Sequence, residues 1–228
     1  MSPFPVTELA GSDLLARTLR INEIFLSLQG ESIKTGLPTT FIRLTGCPLR
    51  CHYCDTEYAF HTGERLTISS IMQTIAEFRT RHICVTGGEP LAQKTCLDLL
   101  LHLCDEGYEV SLETSGAIDV SKVDPRVMKI LDLKTPASGE SGKNRYDNLV
   151  WLRHPDQIKL VICNRDDYEW SRKLLQDRHL HEVCEVLFSP AYDQLDAALL
   201  AGWILEDHLP VRFQIQLHKY LWGNTRGT

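Results

Sequence analysis

Three cysteines close together are the residues of this chain best suited to chemistry. Residues 46–56 read Gly-Cys-Pro-Leu-Arg-Cys-His-Tyr-Cys-Asp-Thr, so Cys47, Cys51 and Cys54 follow the spacing C-x3-C-x2-C. A structural zinc site takes four protein ligands, and most 4Fe–4S clusters take four cysteines. Three thiolates on one loop therefore indicate an iron–sulfur cluster with one iron left open, where a small molecule can bind and be reduced.

The other cysteines share no ligand spacing, and their apolar neighbours predict buried core thiols: Cys84, Cys96, Cys104, Cys163 and Cys184. A different use of the loop is a zinc site closed by a histidine, either His52 or His61, in a protein without enzymatic activity. Structural zinc prefers four clean protein ligands, which disfavours this alternative.

The bulk composition is that of an ordinary globular protein. The 228 residues are 43% hydrophobic and 24% charged, enough for one large α/β domain. The net charge of −6 argues against a nucleic-acid surface, which needs a basic face. No apolar run reaches the ~18 residues of a membrane span, and residues 1–13 lack signal-peptide features. We therefore expect a cytoplasmic protein that binds neither nucleic acid nor membrane.

Short apolar segments alternate with helical ones along the chain. Strands are predicted at 21–28, 39–45, 82–86, 108–114, 127–133, 157–163, 185–188 and 211–217. Helices are predicted at 67–80, 91–106, 166–179 and 193–207, with Thr67 and either Asn164 or Asp166 as N-caps and Gly107 as a C-cap. The pattern predicts a parallel sheet covered by helices, in a single domain over 21–228 after a loose arm, 1–20. Alternation alone does not separate a doubly wound sheet from a barrel.

Polar residues stand where the predicted strands end. Because ligands bind at the carboxyl ends of parallel strands, these loops should form one site. The cysteine loop follows the first core strand, and Gly87-Gly88-Glu89-Pro90 follows the second. Paired glycines allow a ligand to approach the backbone closely, although such a sequence alone is often a simple turn.

The cysteine loop, with Tyr53 before its last cysteine, and the Gly87-Gly88-Glu89-Pro90 segment together resemble the radical S-adenosylmethionine superfamily. Within it, four segments resemble the 7-carboxy-7-deazaguanine synthase family of queuosine biosynthesis: Leu28-Gln29-Gly30-Glu31, Phe41-Ile42-Arg43-Leu44 with Gly46-Cys47, Cys54-Asp55-Thr56, and Gln216-x-His218-Lys219. The resemblance covers residues 21–228. It implies an abbreviated, partial (β/α)6 barrel of parallel strands with covering helices.

The resemblance also implies cofactors and a reaction. The cysteines would ligate a 4Fe–4S cluster whose open iron chelates S-adenosylmethionine. That cofactor would also contact Tyr53, Asp55, Gly88, Ser115, Asp132 and Lys134. The reaction would be a radical ring contraction of 6-carboxy-5,6,7,8-tetrahydropterin to 7-carboxy-7-deazaguanine with loss of ammonia.

Substrate contacts follow from the same resemblance. Arg43 would pair with the substrate carboxylate, as an arginine fork suits; the alternative is a salt bridge to a protein carboxylate. The pterin would lie against Leu28, Gln29, Gly30, Thr86 and Gln216, and Thr56 would ligate Mg²⁺. Ser32 stands where the family often has glycine, so a positive φ there would strain it.

Partners are implied as well: the small pterin, an electron donor such as flavodoxin, and a second copy of the chain in a homodimer. Another small radical enzyme, such as an activase that forms a glycyl radical on a partner protein, is the nearest alternative. Arg43 and Thr56 favour a small carboxylated substrate instead.

Overall fold

The computed structural model describes residues 13–228, and one mixed sheet runs through them. Its order is β3-β1-β2-β4-β5-β6-β7-β8-β9. Strand β1 is antiparallel to β2 and β3, whereas β2 and β4 to β9 are mutually parallel. The strands are β1 Thr18–Leu28, β2 Pro38–Leu44, β3 Glu64–Thr67, β4 His82–Gly87, β5 Glu109–Thr114, β6 Met128–Asp132, β7 Gln157–Ile162, β8 Glu185–Pro190 and β9 Arg212–Phe213.

Helices follow most of the parallel strands. They are α1 Ile68–Phe78, α2 Cys96–Asp105, α3 Arg165–Asp177, α4 Leu180–Val183, α5 Ala197–Glu206 and α6 Leu217–Trp222. Short 3-10 segments lie at Glu57–Phe60, Pro90–Ala92, Pro136–Ser138, Ser141–Lys143 and Tyr146–Trp151. The open order of the sheet fits the expected partial barrel and rules out a closed one. No helix among the described residues is long and apolar enough to cross a membrane.

The core lies between the sheet and the helices. Ile71 and Ile75 of α1 and Leu99 of α2 are fully buried against strand residues such as Val85. Strands flanked by helices bury apolar side chains on that face, which explains their short hydrophobic runs. The opposite face is left to line the interior of the partial barrel.

The predicted caps are present. The Thr67 hydroxyl accepts a hydrogen bond from the Ser70 amide at 3.1 Å, and the Asn164 side chain accepts from the Asp167 amide. Gly107 has φ +85°, the left-handed conformation in which glycine ends a helix. Local capping chemistry therefore placed these three helix ends well.

Several boundaries differ from the sequence prediction. The helix expected from residue 91 begins at Cys96, because the Glu89 side chain accepts from the Leu91 amide and holds a 3-10 turn first. The helix expected from residue 193 begins at Ala197, after an Asp196 cap. Strand β3 was not predicted.

The two chain ends also differ. Strand β1 begins at Thr18, three residues inside the segment predicted as an arm, and residues 1–12 of that arm lie outside the described residues. Strand β9 is only Arg212–Phe213 long, and α6 forms where a polar tail was expected. The chain leaves the sheet after β9 because it turns back over the barrel interior, as shown below.

The connection between β1 and β2 fills the interior near the amino ends of the strands. The Ile33 amide donates to Gln157 Oε1 at 3.0 Å, and Lys34 forms a 2.9 Å salt bridge with Glu109. Ser32, in this connection, has φ +72°. The positive φ on which the predicted strain at Ser32 depends is thus present, while the strain itself stays a prediction. The first residues of the connection, Gln29, Gly30 and Glu31, line the cavity described below.

Candidate active site

One cavity of about 280 Å³ opens at the carboxyl ends of the parallel strands. It brings together every residue predicted for the site: Leu28, Gln29, Gly30, Arg43, Cys47, Cys51, Tyr53, Cys54, Asp55, Thr56, Thr86, Gly88, Ser115, Asp132, Lys134 and Gln216. The position that parallel strands favour for ligands is the position found. We call the side formed by Cys47, Cys51, Cys54 and Gly88 the cysteine wall.

The cysteine loop is fixed by backbone contacts on both sides. The Gly46 amide donates to Ala59 O at 2.8 Å, and the Glu89 amide donates to Gly46 O at 2.7 Å. Across the site, the His52 amide donates to Ser138 O at 3.0 Å. The loop is therefore held in place before any ligand binds.

The three thiols are half-buried and form no disulfide. Burial raises the pKa of Cys47 and Cys54, and raises that of Cys51 to about 11 despite the nearby Lys134 ammonium. Without a cation, these sulfurs are held as neutral thiols. A metal centre would supply the positive charge that the thiolate form needs.

The spread of these ligands favours a cluster over a single ion. Across residues 13–228, no three Cys, His, Asp or Glu side chains converge enough to hold one metal ion. Thiolates sharing one zinc must each lie ~2.3 Å from it, whereas a 4Fe–4S cluster has a separate iron for each cysteine. His52 Nδ1 lies 3.2 Å from Ala137 O, which leaves only Nε2 of this candidate histidine for a metal.

Gly88 has a packing role that the sequence did not reveal. A Cβ at this position would lie 2.3 Å from Gly46 O and 2.8 Å from the Cys47 Cβ. Real atoms do not approach so closely, so only glycine allows β4 to end against the cysteine loop. A ligand contact at the Gly88 backbone stays a prediction.

Glu89 is fully buried and joins the ends of β4 and β5. Its carboxylate accepts from the Leu91 amide, the Thr114 hydroxyl, and both the amide and the hydroxyl of Ser115. No role was predicted for Glu89, although a carboxylate directly after a buried strand needs such donors. The Ser115 hydroxyl, predicted as a cofactor contact, is engaged by Glu89.

Charged side chains form a second side of the cavity. We call Glu31, Arg43, Glu113 and Lys159 the charged wall; Glu113 accepts from the Thr86 hydroxyl at 2.9 Å. Lys159 lies 2.5 Å from Glu31 Oε2 and 3.2 Å from Asp132 Oδ2. Three of these residues, Glu31, Glu113 and Lys159, were absent from the predicted site.

Arg43 is held by protein groups. Its Nε donates to Glu23 Oε1 at 2.7 Å, and the Tyr58 hydroxyl donates to the same oxygen at 2.9 Å. The Arg43 guanidinium carbon lies 5.7 Å from the Phe25 ring centroid and 5.9 Å from that of Tyr58. The salt bridge to a protein carboxylate, which was the alternative role for Arg43, is thus present. It uses Nε and leaves the two Nη atoms available to another anion.

The Asp55–Thr56 pair offers oxygen ligands at the cavity edge. The Thr56 hydroxyl donates to Asp55 Oδ1 at 2.7 Å, and Lys219 lies 3.7 Å from Asp55 Oδ2. Burial acts to raise the pKa of Asp55, but the Thr56 hydrogen bond and Lys219 outweigh it and lower that pKa. A negatively charged carboxylate beside a hydroxyl suits a hard cation.

The C-terminal segment reaches the site. The Leu217 amide donates to Gly30 O at 3.0 Å, and Gln216 Nε2 donates to Glu31 Oε1 at 2.8 Å. A Cβ at Gly30 would lie 2.1 Å from His218 Nδ1, so glycine lets the histidine ring pack on the turn. His218 and Lys219 were noted in the sequence only as part of a motif; the apolar residues among 217–222 were the available signal for α6.

Comparisons with known proteins agree with this geometry. The model of the Radical SAM superfamily matches residues 41–133. A Chlorobaculum tepidum protein named 7-carboxy-7-deazaguanine synthase is 44% identical over 208 residues, which cover 90% of this chain and 94% of that protein. A Koribacter versatilis protein of the same name is 41% identical over 219 residues, covering 90% and 97%.

Solved structures add the fold. The crystal structure of QueE from Escherichia coli superposes with a TM-score of 0.74 at 25% identity, covering 88% of this chain and 95% of that chain. Streptococcus suis SuiB bound to S-adenosylmethionine gives a TM-score of 0.52 at 15% identity over 75% of this chain and 48% of that one, a likeness of fold alone.

Proposed function

The chain belongs to the 7-carboxy-7-deazaguanine synthase family of radical SAM enzymes, and from this membership we propose that it converts 6-carboxy-5,6,7,8-tetrahydropterin to 7-carboxy-7-deazaguanine and ammonia. It is a carbon–nitrogen lyase of queuosine biosynthesis. The observation that carries the proposal is the shared cavity: the three-cysteine loop faces the same space as the guanidinium of Arg43, whose side chain is 16% exposed.

Cys47, Cys51 and Cys54 are the ligands for the 4Fe–4S cluster. The cluster and S-adenosylmethionine, when bound, would supply the radical that takes a hydrogen from the substrate and later returns it, because the overall conversion to product and ammonia is redox-neutral. Tyr53, Asp55, Gly88, Ser115, Asp132 and Lys134 surround the adjoining space and are the proposed contacts of S-adenosylmethionine. Burial acts to lower the pKa of Lys134, but Asp132 outweighs it, so Lys134 stays a cation able to bind a carboxylate.

Arg43 is the proposed partner of the substrate carboxylate. Glu23 and Tyr58 orient its guanidinium, and the two flanking rings restrict its movement. Such preorganisation lowers the entropy cost of binding. Leu28, Gln29, Gly30, Thr86 and Gln216 are the proposed contacts along the pterin, where Gln29 is 2% exposed and shielded from water.

Mg²⁺ is a further proposed cofactor, bound by Thr56. The adjacent Asp55 carboxylate and the open cavity support this proposal, because Mg²⁺ takes oxygen ligands and keeps positions for substrate oxygens. A reductant such as flavodoxin and a homodimer stay predictions from the resemblance. The comparisons do not favour a glycyl-radical activase, because both relatives are named as the synthase and the match covers almost all of each.

An anaerobic turnover assay tests the function. Reconstituted protein receives dithionite, S-adenosylmethionine, Mg²⁺ and 6-carboxytetrahydropterin, with tetrahydropterin lacking the carboxyl group as the matched control. We expect 7-carboxy-7-deazaguanine by mass spectrometry from the first pterin alone, with one ammonia per product. Cleavage of S-adenosylmethionine without that product would reject the pterin substrate and retain the radical enzyme.

A further inference from the structure

Lys159 is the side chain that joins two parts of the cavity. Its ammonium contacts Glu31, which lies in the connection between β1 and β2, and Asp132, which ends β6. The Lys159 side chain is only 11% exposed. One buried cation therefore connects the turn proposed to bind the pterin with the strand end proposed to bind S-adenosylmethionine.

The second oxygen of each carboxylate contacts a residue that we propose to bind a ligand. Glu31 Oε1 accepts from Gln216, a proposed pterin contact, at 2.8 Å. Asp132 Oδ1 lies 3.1 Å from Lys134 Nζ, a proposed cofactor contact. A continuous series of polar contacts therefore runs through the cavity, from Gln216 through Glu31, Lys159 and Asp132 to Lys134.

The charges within this set of contacts balance, and each charged group depends on its neighbours. Two carboxylates face two ammonium groups, and burial makes each charge depend on its partners. Burial acts to raise the pKa of Glu31 and of Asp132, but their lysine partners outweigh it and lower both. A ligand group that donated to Asp132 would compete with Lys159 for that carboxylate and strengthen the contact of the ammonium with Glu31. That contact would fix the Glu31–Gln216 pair beside the proposed pterin contacts and so lower the entropy cost of binding there.

We propose that Lys159 is a positioning residue that couples the two ligand sites, so that S-adenosylmethionine and the pterin each raise the affinity for the other. The proposal rests on the function proposed above. Coupling between sites is reciprocal, so both affinities change by the same factor. Typical factors are on the order of 5 to 150.

Equilibrium binding to the reconstituted protein with its cluster unreduced tests the coupling without turnover. Anaerobic calorimetry gives the Kd of 6-carboxytetrahydropterin with and without S-adenosylmethionine, and the reverse. In the wild type we expect each ligand to lower the Kd of the other by the same factor. In Lys159→Met that factor should fall to about one while both ligands still bind alone, and Lys159→Arg should restore part of it.

Lys129→Met is the matched control. Lys129 forms a buried 2.9 Å salt bridge with Asp156 but does not line the cavity. Its loss should lower the melting temperature and leave the coupling factor unchanged. If Lys159→Met does not fold because Glu31 loses its ammonium partner while Asp132 keeps only Lys134, the double variant Lys159→Met, Glu31→Gln restores the charge balance and should also lack coupling.

Two results would overturn the proposal. They are a wild-type coupling factor of one, and a Lys159→Met protein with the wild-type factor and wild-type iron content. Both leave the proposed function standing. A wild-type protein that binds S-adenosylmethionine but not the pterin would instead reject that function, so the two failures are distinguishable.

Discussion

The cysteine wall and the charged wall of one cavity are built in opposite ways. The cysteine wall consists of neutral, half-buried thiols from one short loop, packed on Gly88. The charged wall is already paired within the protein, through Glu31 with Lys159, Arg43 with Glu23, and Glu113 with Thr86. On the proposed function, a cofactor completes the first wall, whereas the second is already paired and orients what binds to it.

This difference predicts two kinds of response to mutation. If the three cysteines ligate the proposed cluster, loss of one removes a ligand that nothing else replaces, so the effect should be all-or-none. Loss of one contact in the charged wall leaves its neighbours in place, so the effect should be graded and should fall mainly on substrate affinity.

Cys51→Ala should have the largest effect, because one iron of the cluster loses its protein ligand. We expect product formation at the level of a protein-free control, together with lower iron and sulfide content and weaker cluster absorbance. Cys104→Ala is the matched control, since Cys104 lies on α2 outside the cavity. Full turnover by Cys51→Ala would remove Cys51 from the cluster.

Arg43→Lys should have the next largest effect, because lysine keeps the charge but lacks the fork. Charge-assisted hydrogen bonds contribute ~1.5–3 kcal/mol, so the KM for the carboxylated pterin should rise about 10- to 150-fold. Iron content should not change. Arg65→Lys on the exposed strand β3 is the control. An unchanged KM for Arg43→Lys would show that Arg43 does not bind the substrate carboxylate and that its salt bridge with Glu23 has only a structural role.

Thr56→Ala tests the edge between the two walls. Removing the hydroxyl should raise the Mg²⁺ concentration for half-maximal activity on the order of 10-fold, with the cluster intact. Thr74→Ala on α1, where the hydroxyl only donates to Ser70 O, is the control. An identical Mg²⁺ titration for wild type and Thr56→Ala would exclude Thr56 as a ligand.

Tyr58→Phe should have a smaller effect on the same substrate. The ring beside Arg43 remains, but Glu23 loses a hydrogen bond worth ~0.5–1.5 kcal/mol, so KM should rise about 2- to 10-fold at constant kcat. Burial and the Glu23 hydrogen bond raise the pKa of Tyr58 to about 12, so the hydroxyl stays protonated and the effect should not vary between pH 6 and 9, roughly the range where unperturbed Tyr is neutral. Tyr108→Phe, outside this cavity, is the control, and a change in kcat alone would contradict the orienting role.

Ser32→Gly should have the smallest effect. Glycine removes the cost of φ +72°, but the Ser32 hydroxyl no longer accepts from the Lys34 amide. These contributions are each ~1 kcal/mol, so the free energy of unfolding in urea should change by less than ~1 kcal/mol. Ser32→Val should destabilise clearly more, because a β-branched residue tolerates this conformation poorly; equal effects would show that φ at residue 32 carries no strain.

The same difference between the walls explains what the sequence could predict. Cys47, Cys51 and Cys54 lie within one loop, and strand alternation placed that loop and residues 87–90 at the same end of the sheet. Local caps such as Thr67 and Asn164 were equally predictable. Chemistry that depends on local spacing or strand order can therefore be found without coordinates.

Three residues of the charged wall could not be predicted in this way: Glu31, Glu113 and Lys159. The fourth, Arg43, was predicted from the family resemblance. Lys159 and Glu31 are separated by 128 residues in the sequence, and Gln216 and Glu31 by 185, yet both pairs are in contact. No local pattern marks such pairs, since a lysine in an apolar strand has many possible partners. Helix α6 itself had a local signal in the apolar residues among 217–222, but its position over Gly30 depends on a contact that only the folded barrel creates.

The most direct test of this account measures two products at once in three proteins. Wild type, Cys51→Ala and Arg43→Lys are assayed anaerobically at one subsaturating pterin concentration, and both S-adenosylmethionine cleavage and 7-carboxy-7-deazaguanine are quantified. We predict that Cys51→Ala loses both, whereas Arg43→Lys keeps its cleavage activity and loses most of its product. Two results would contradict the separate roles of the two walls. One is an equal loss of cleavage and product in Arg43→Lys with a full cluster, and the other is product formation by Cys51→Ala.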